Sequence, residues 1–149
     1  MTNVALFFHL VGAFLFVSGA VVAAAGFEAA RRRTEPREIA LLLAVTRVGV
    51  ALVGAGAVLV LVFGLWLVHL TGAGYGAAWV DAALGLFALA AVLGTVGGRR
   101  PRQARVLARS GDRAAEVRSL LDDPLSRAAN YAAAGVVLGI LALMVWQPS

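Results

Sequence analysis

Residues 39–70 read IALLLAVTRVGVALVGAGAVLVLVFGLWLVHL, apolar throughout except for Thr46 and Arg47 near the start and His69 near the end. A bilayer hydrocarbon core about 30 Å thick takes roughly 20 helical residues at 1.5 Å rise each. This run is long enough to cross it. It lacks the alternation of a barrel strand, so it reads as a transmembrane helix. Working outward from it, three more stretches have the same character. Residues 4–27 hold His9 as their only titratable side chain, residues 77–97 hold Asp81 near their start, and residues 128–146 carry no charge. The expected fold class is therefore all-α: a four-transmembrane-helix up-down bundle, one integral membrane domain over residues 1–149.

The whole composition agrees. Of 149 residues, 61% are hydrophobic and 14% charged, with mean hydropathy +0.88. A soluble domain has about a quarter of its residues charged. So little polar surface cannot clothe a globule of this size in water, which excludes a soluble enzyme, a nucleic-acid-binding domain and a disordered chain. The sequence has no cysteine and no lysine. Disulfides, thiolate metal sites, cysteine nucleophiles and Schiff-base chemistry are excluded with them.

Charge placement sets an expected direction. The first connection holds Arg31, Arg32, Arg33 and Arg37. The third holds Arg99, Arg100, Arg102, Arg105, Arg109, Arg113, Arg118 and Arg127. The second connection and both tails have no arginine, and Arg47 can snorkel toward the same side as the others. By the positive-inside rule the two basic connections face the cytoplasm and both termini face outward, in a bacterial plasma membrane. The net charge of +5 is accounted for by these loops. It calls for anionic lipid headgroups, met by residues such as Arg31, Arg32, Arg33, Arg99, Arg100, Arg102 and Arg105, and not for nucleic acid. Ala23-Ala24-Ala25 resembles a signal-peptidase site. With no basic residue before it and arginines after it, the first span reads instead as an uncleaved anchor.

Membrane helices meet through small residues that let backbones approach. Gly12, Ala13, Gly19, Ala20 and Ala23 lie on the His9 side of the first span. Asp81, Gly85, Ala88, Ala91 and Thr95 form a stripe on the third, and Ala132, Gly135, Gly139 and Ala142 one on the fourth. Gly49, Gly54, Gly56 and Gly64 of the second are less cleanly aligned. These stripes predict bundle packing, with His9 and Asp81 turned inward. They also suit self-association or packing with a membrane partner. In the cytoplasmic loop between helices 3 and 4, Asp112 can cap a short amphipathic helix running to Leu121 and stopping before Pro124. Its face of Val117, Leu120 and Leu121 suits the membrane surface or a partner protein.

The constellation with chemical potential is His9, His69 and Asp81, all near the outer ends of their helices. Two neutral imidazoles can ligate a b-type haem, the three together a divalent metal, and intramembrane ionisable groups can relay protons. The plainer alternative is a hydrogen-bonded structural pair or interfacial groups. Trp66, Tyr75, Trp79 and Trp146 read as the interfacial aromatic belt. Gly72-Ala73-Gly74-Tyr75-Gly76 follows a membrane helix and lacks a lysine, so it reads as a turn and not a phosphate loop. Ser18 is nine residues from His9, too far for a nucleophile–base pair. No catalytic motif is present. All four prolines lie outside the spans, which argues against the broken helices of a transporter.

Phe8-His9-Leu10-Val11-Gly12 opens the first span, Trp79 follows a short turn, and the chain closes on Leu143-Met144-Val145-Trp146-Gln147-Pro148. This pattern resembles a bacterial family of four-helix predicted integral membrane proteins, domain of unknown function 2269, over essentially the whole chain. The resemblance implies topology and no activity. His9 in its aromatic setting is also faintly similar to copper-resistance D type membrane proteins and to the haem-pathway protoporphyrinogen oxidase. The second helix lacks a lysine, and the only methionines are Met1 and Met144, which departs from copper handling by methionine clusters.

Overall fold

The computed structural model describes residues 1–72, 78–110 and 114–146. They form five helices: α1 (Thr2–Arg31), α2 (Pro36–Thr71), α3 (Ala78–Ser110), α4 (Ala114–Leu121) and α5 (Pro124–Trp146). No strand occurs among the described residues. Four helical stretches are long and apolar enough to cross a membrane, with α4 leading into the fourth. The helix ends follow local chemistry. Pro36 opens α2, where its missing N–H costs nothing. Gly72 ends it at φ 69°, a left-handed conformation that glycine adopts without strain. Asp123 caps α5, its carboxylate accepting the Ser126 backbone N–H at 2.9 Å. The Asp112 cap, Tyr75, the glycine-rich turn and the closing Gln147-Pro148 lie outside the described residues.

The helices pair as two antiparallel hairpins, α1 with α2 and α3 with α5, joined mainly by a lighter α2–α3 contact. The first hairpin is built on glycines seven residues apart. Gly12, Gly19 and Gly26 of α1 and Gly49 and Gly56 of α2 are all buried. A Cβ on Gly12 would lie 2.7 Å from the Leu59 Cβ. On Gly19 it would lie 2.7 Å from the Val53 nitrogen, and on Gly26 2.8 Å from the Thr46 Oγ1. Each step of seven along α1 moves the partner seven back along α2. The two backbones therefore touch through most of the span, in the way small-residue interfaces allow.

The third and fourth spans depart from expectation. Asp81, Gly85, Ala88, Ala91 and Thr95 are all exposed, so this stripe is not turned into the bundle. On α5, Ala132 and Gly135 are exposed while Gly139 and Ala142 are half-buried. A Cβ on Gly85, Gly94, Gly135 or Gly139 would meet nothing within 4 Å. The α3–α5 contact is made elsewhere, with buried Gly97 directly against Asn130. The regular spacing of a stripe fixes a face, but not what that face meets.

A second departure is at the arginine-rich end. Helix α3 does not stop near Gly97 but continues to Ser110 through Pro101, because Arg, Gln, Ala and Leu are good helix formers and Ala104 is buried. There Phe27 and Ala30 of α1, Ile39 and Leu43 of α2, Ala104 of α3 and Val117 and Leu121 of α4 form one buried cluster. With 36 residues, α2 is about 54 Å long, well beyond a 30 Å core. The cluster lies at the arginine-rich ends of these helices, with Phe27, Ile39 and Leu43 in the end turns of the first two apolar stretches and Ala104, Val117 and Leu121 beyond the third. Val117 and Leu121 are thus spent inside the protein and not on a membrane surface. Arg31 ties the two hairpins across this plug, meeting Asp122 at 2.9 Å and Glu28 at 3.0 Å.

Candidate functional site

His9 sits on α1 facing α2 at Gly64. The ring reaches this position because residue 64 has no side chain: a Cβ there would stand 3.1 Å from both Nδ1 and Cε1. Nδ1 lies 3.1 Å from the Val60 carbonyl oxygen. A carbonyl only accepts, so Nδ1–H donates and Nε2 is left as the acceptor nitrogen. Among the described residues Nε2 has no hydrogen-bond partner. Donation by one ring nitrogen to a carbonyl is what fixes the other as a ligand or base in many histidine sites. The residues next to His9 and Gly64 in the chain also pair, with Phe8 stacked on Phe63 at 4.8 Å and Phe63 on Trp66 at 5.9 Å.

The three polar residues do not share one place. Phe16 of α1 stacks on Phe87 of α3 at 5.9 Å. His9 is seven residues before the first and Asp81 six before the second, in helices running the same way. The two therefore stand at similar depth, as the span arithmetic predicts. Asp81 is exposed, in the first turn of α3, where the helix dipole favours a carboxylate. His69 lies about 10 Å further toward the arginine-poor end than the Val60–Gly64 level that holds His9. It is exposed and has an interaction of its own. Among the described residues no three His, Cys, Asp or Glu side chains are grouped to hold a metal ion.

The basic residues divide into two populations. Arg31, Arg32 and Arg33 are matched by carboxylates: Arg31 as above, Arg32 with Glu28 at 3.5 Å and Arg33 with Glu38 at 3.6 Å. Arg105 is half-buried and engaged. Arg99, Arg100 and Arg102 are exposed and form no ion pair with any described residue. Sequence reasoning missed the Val60 carbonyl, since a backbone acceptor 51 residues away leaves no mark in composition. Gly64, the one gap in the run Leu59 to Val68 wide enough for a ring, was the available signal.

A family model described as predicted integral membrane protein (DUF2269) matches residues 3–148. No curated protein and no solved structure matches the chain.

Proposed function

The chain belongs to this family of predicted integral membrane proteins, and from that premise we propose that it is a non-catalytic membrane component that works by packing against copies of itself or a membrane partner. The observation that carries this is the contrast between its glycines. Gly12, Gly19 and Gly26 of α1 and Gly49 and Gly56 of α2 are consumed by the hairpin, whereas Gly85, Gly94, Gly135 and Gly139 face open space, as Gly54 does on α2. Lipid tails are as apolar as leucine, so helix association in a bilayer depends on close backbone approach. An exposed small-residue stripe on α3, with a second beginning on α5, offers that approach to another helix. The arginine-rich end faces the cytoplasm of a bacterial plasma membrane and both termini face outward, a disposition supported by the charge asymmetry.

The test is subunit counting in mild detergent or bilayers by native mass spectrometry or photobleaching. A concentration-dependent oligomer is expected. Gly85→Leu should weaken it about tenfold, on the order of 1.4 kcal/mol, while Gly54→Leu, on the first hairpin, should weaken it less. A monomer at every concentration, with no membrane protein co-purifying, would sink the proposal.

The alternative is a haem- or metal-binding redox protein using His9 and His69 near the outer face, with Asp81 as a further metal ligand. It is favoured by one observation, the Nδ1–H donation that leaves His9 Nε2 as a ligand nitrogen. Its check is the absorbance spectrum and metal content of protein purified from haem-supplemented cells. A Soret band lost in His9→Ala supports it, and a colourless, metal-free preparation ends it.

A further inference from the structure

Helix α3 and helix α4 flank a shallow, open depression of about 570 Å³ at the arginine-rich end. Arg100, Arg102 and Gln103 form its α3 wall, Leu107 and Leu120 part of its apolar lining, and Glu116 its α4 wall. Three observations bear on what would fill it. The first is depth. Gly98 is the last uncharged residue before Arg99, and residues 100–103 follow it by about 3–8 Å along the helix. A headgroup layer is roughly 5–8 Å thick on each side of the hydrocarbon, so this wall stands within it. The second is direction. The Arg102 Nε and Nη2 both lie 3.9 Å from where a Cβ on Gly98 would be, so the guanidinium folds back one turn toward the apolar span.

The third is charge. Arg31, Arg32 and Arg33 already have carboxylates, whereas Arg100 and Arg102 have none among the described residues. Glu116, the carboxylate on the opposite wall, has a partner of its own. The lining thus offers a phosphodiester two guanidinium groups that have no acid partner among the described residues and an amide, and guanidinium forks bind phosphate oxygens in pairs. Glu116 is the one acid in the lining against two arginines, so the balance of charge there favours an anionic headgroup over a zwitterionic one.

The geometry points to this depression as a binding site for the phosphate of an anionic glycerophospholipid headgroup, recruited from the bilayer. It depends on α3 crossing the membrane and is independent of self-association, which subunit counting reads separately.

The experiment uses the full chain in mild detergent, with lipid retention measured by native mass spectrometry. The probes are phosphatidylglycerol, phosphatidylcholine and inorganic phosphate. Phosphatidylglycerol should be held in preference to phosphatidylcholine. The double variant Arg100→Gln/Arg102→Gln should weaken its binding roughly thirty-fold, about 1 kcal/mol for each arginine. Arg32→Gln/Arg33→Gln removes as much charge from paired residues and should cost less than about threefold by the same scale. Both pairs are exposed, so circular dichroism should show unchanged helix content. Equal loss in the two double variants, equal retention of phosphatidylcholine, or displacement of the lipid by inorganic phosphate at the same concentration would each overturn the assignment.

Discussion

Gly56→Val is expected to break the α1–α2 hairpin, lowering stability by about 3 kcal/mol or more. A Cβ on Gly56 would fall on the backbone nitrogen of Phe16, 2.6 Å from the Gly12 carbonyl oxygen and 2.8 Å from the Phe16 Cα. These are main-chain atoms of a regular helix, so no rotamer change relieves the clash. The helices must move apart, and contacts at Gly19 and Gly49 along the same seam loosen with them. Gly49→Val should behave alike, since its Cβ would meet the Ala23 nitrogen at 2.5 Å. Gly54→Val is the control: it has nothing within 4 Å and should leave stability within about 1 kcal/mol. Reversible unfolding in mixed micelles measures all three. Equal effects at Gly54 and Gly56 would show that the hairpin does not pack through these glycines.

Leu121→Ala is the second large effect, expected at about 2–4 kcal/mol. Leu121 is 1% exposed and closes the cluster made with Phe27, Ile39, Leu43, Ala104 and Val117. Leu121 itself lies between the third and fourth apolar stretches, where water supplies the hydrophobic driving force that lipid does not. Loss of the side chain leaves a cavity between α4 and the first hairpin. Hydrogen exchange should quicken in α4 and at the α1–α2 turn. Leu125→Ala, at a position 67% exposed, should change stability by no more than about 0.5 kcal/mol. Unchanged protection of α4 in Leu121→Ala would show that α4 is held by something other than this plug.

The stripe on α3 and the glycines of α1 looked alike in the sequence, yet one is open and the other jammed against a backbone. Gly12 and Gly19 were legible as one face of the first span, but Gly49 and Gly56 did not stand out from the less cleanly aligned Gly54 and Gly64. What could not be read was that Gly12 and Gly19 face Gly56 and Gly49, because each helix offers several small-residue faces and the choice depends on the partner's. The candidate site divides in the same way. His9 and Asp81 share a depth because depth follows from counting residues along a span. That His9 turns to the Val60 carbonyl while Asp81 is exposed depends on azimuth, which counting does not give.

Four apolar helices and the segregation of arginine toward one end follow from the sequence alone. Transfer into lipid and exclusion of charge from it are summed residue by residue along the chain, with no knowledge of neighbours. The tertiary structure decided the rest: which glycines are consumed, that Val117 and Leu121 plug a core, and that Arg31 has a carboxylate while Arg102 has none among the described residues. Arg31 and Asp122 are 91 residues apart. Contacts of this kind depend on the relative rotation and register of packed helices, and these are fixed only when all the helices are in place together.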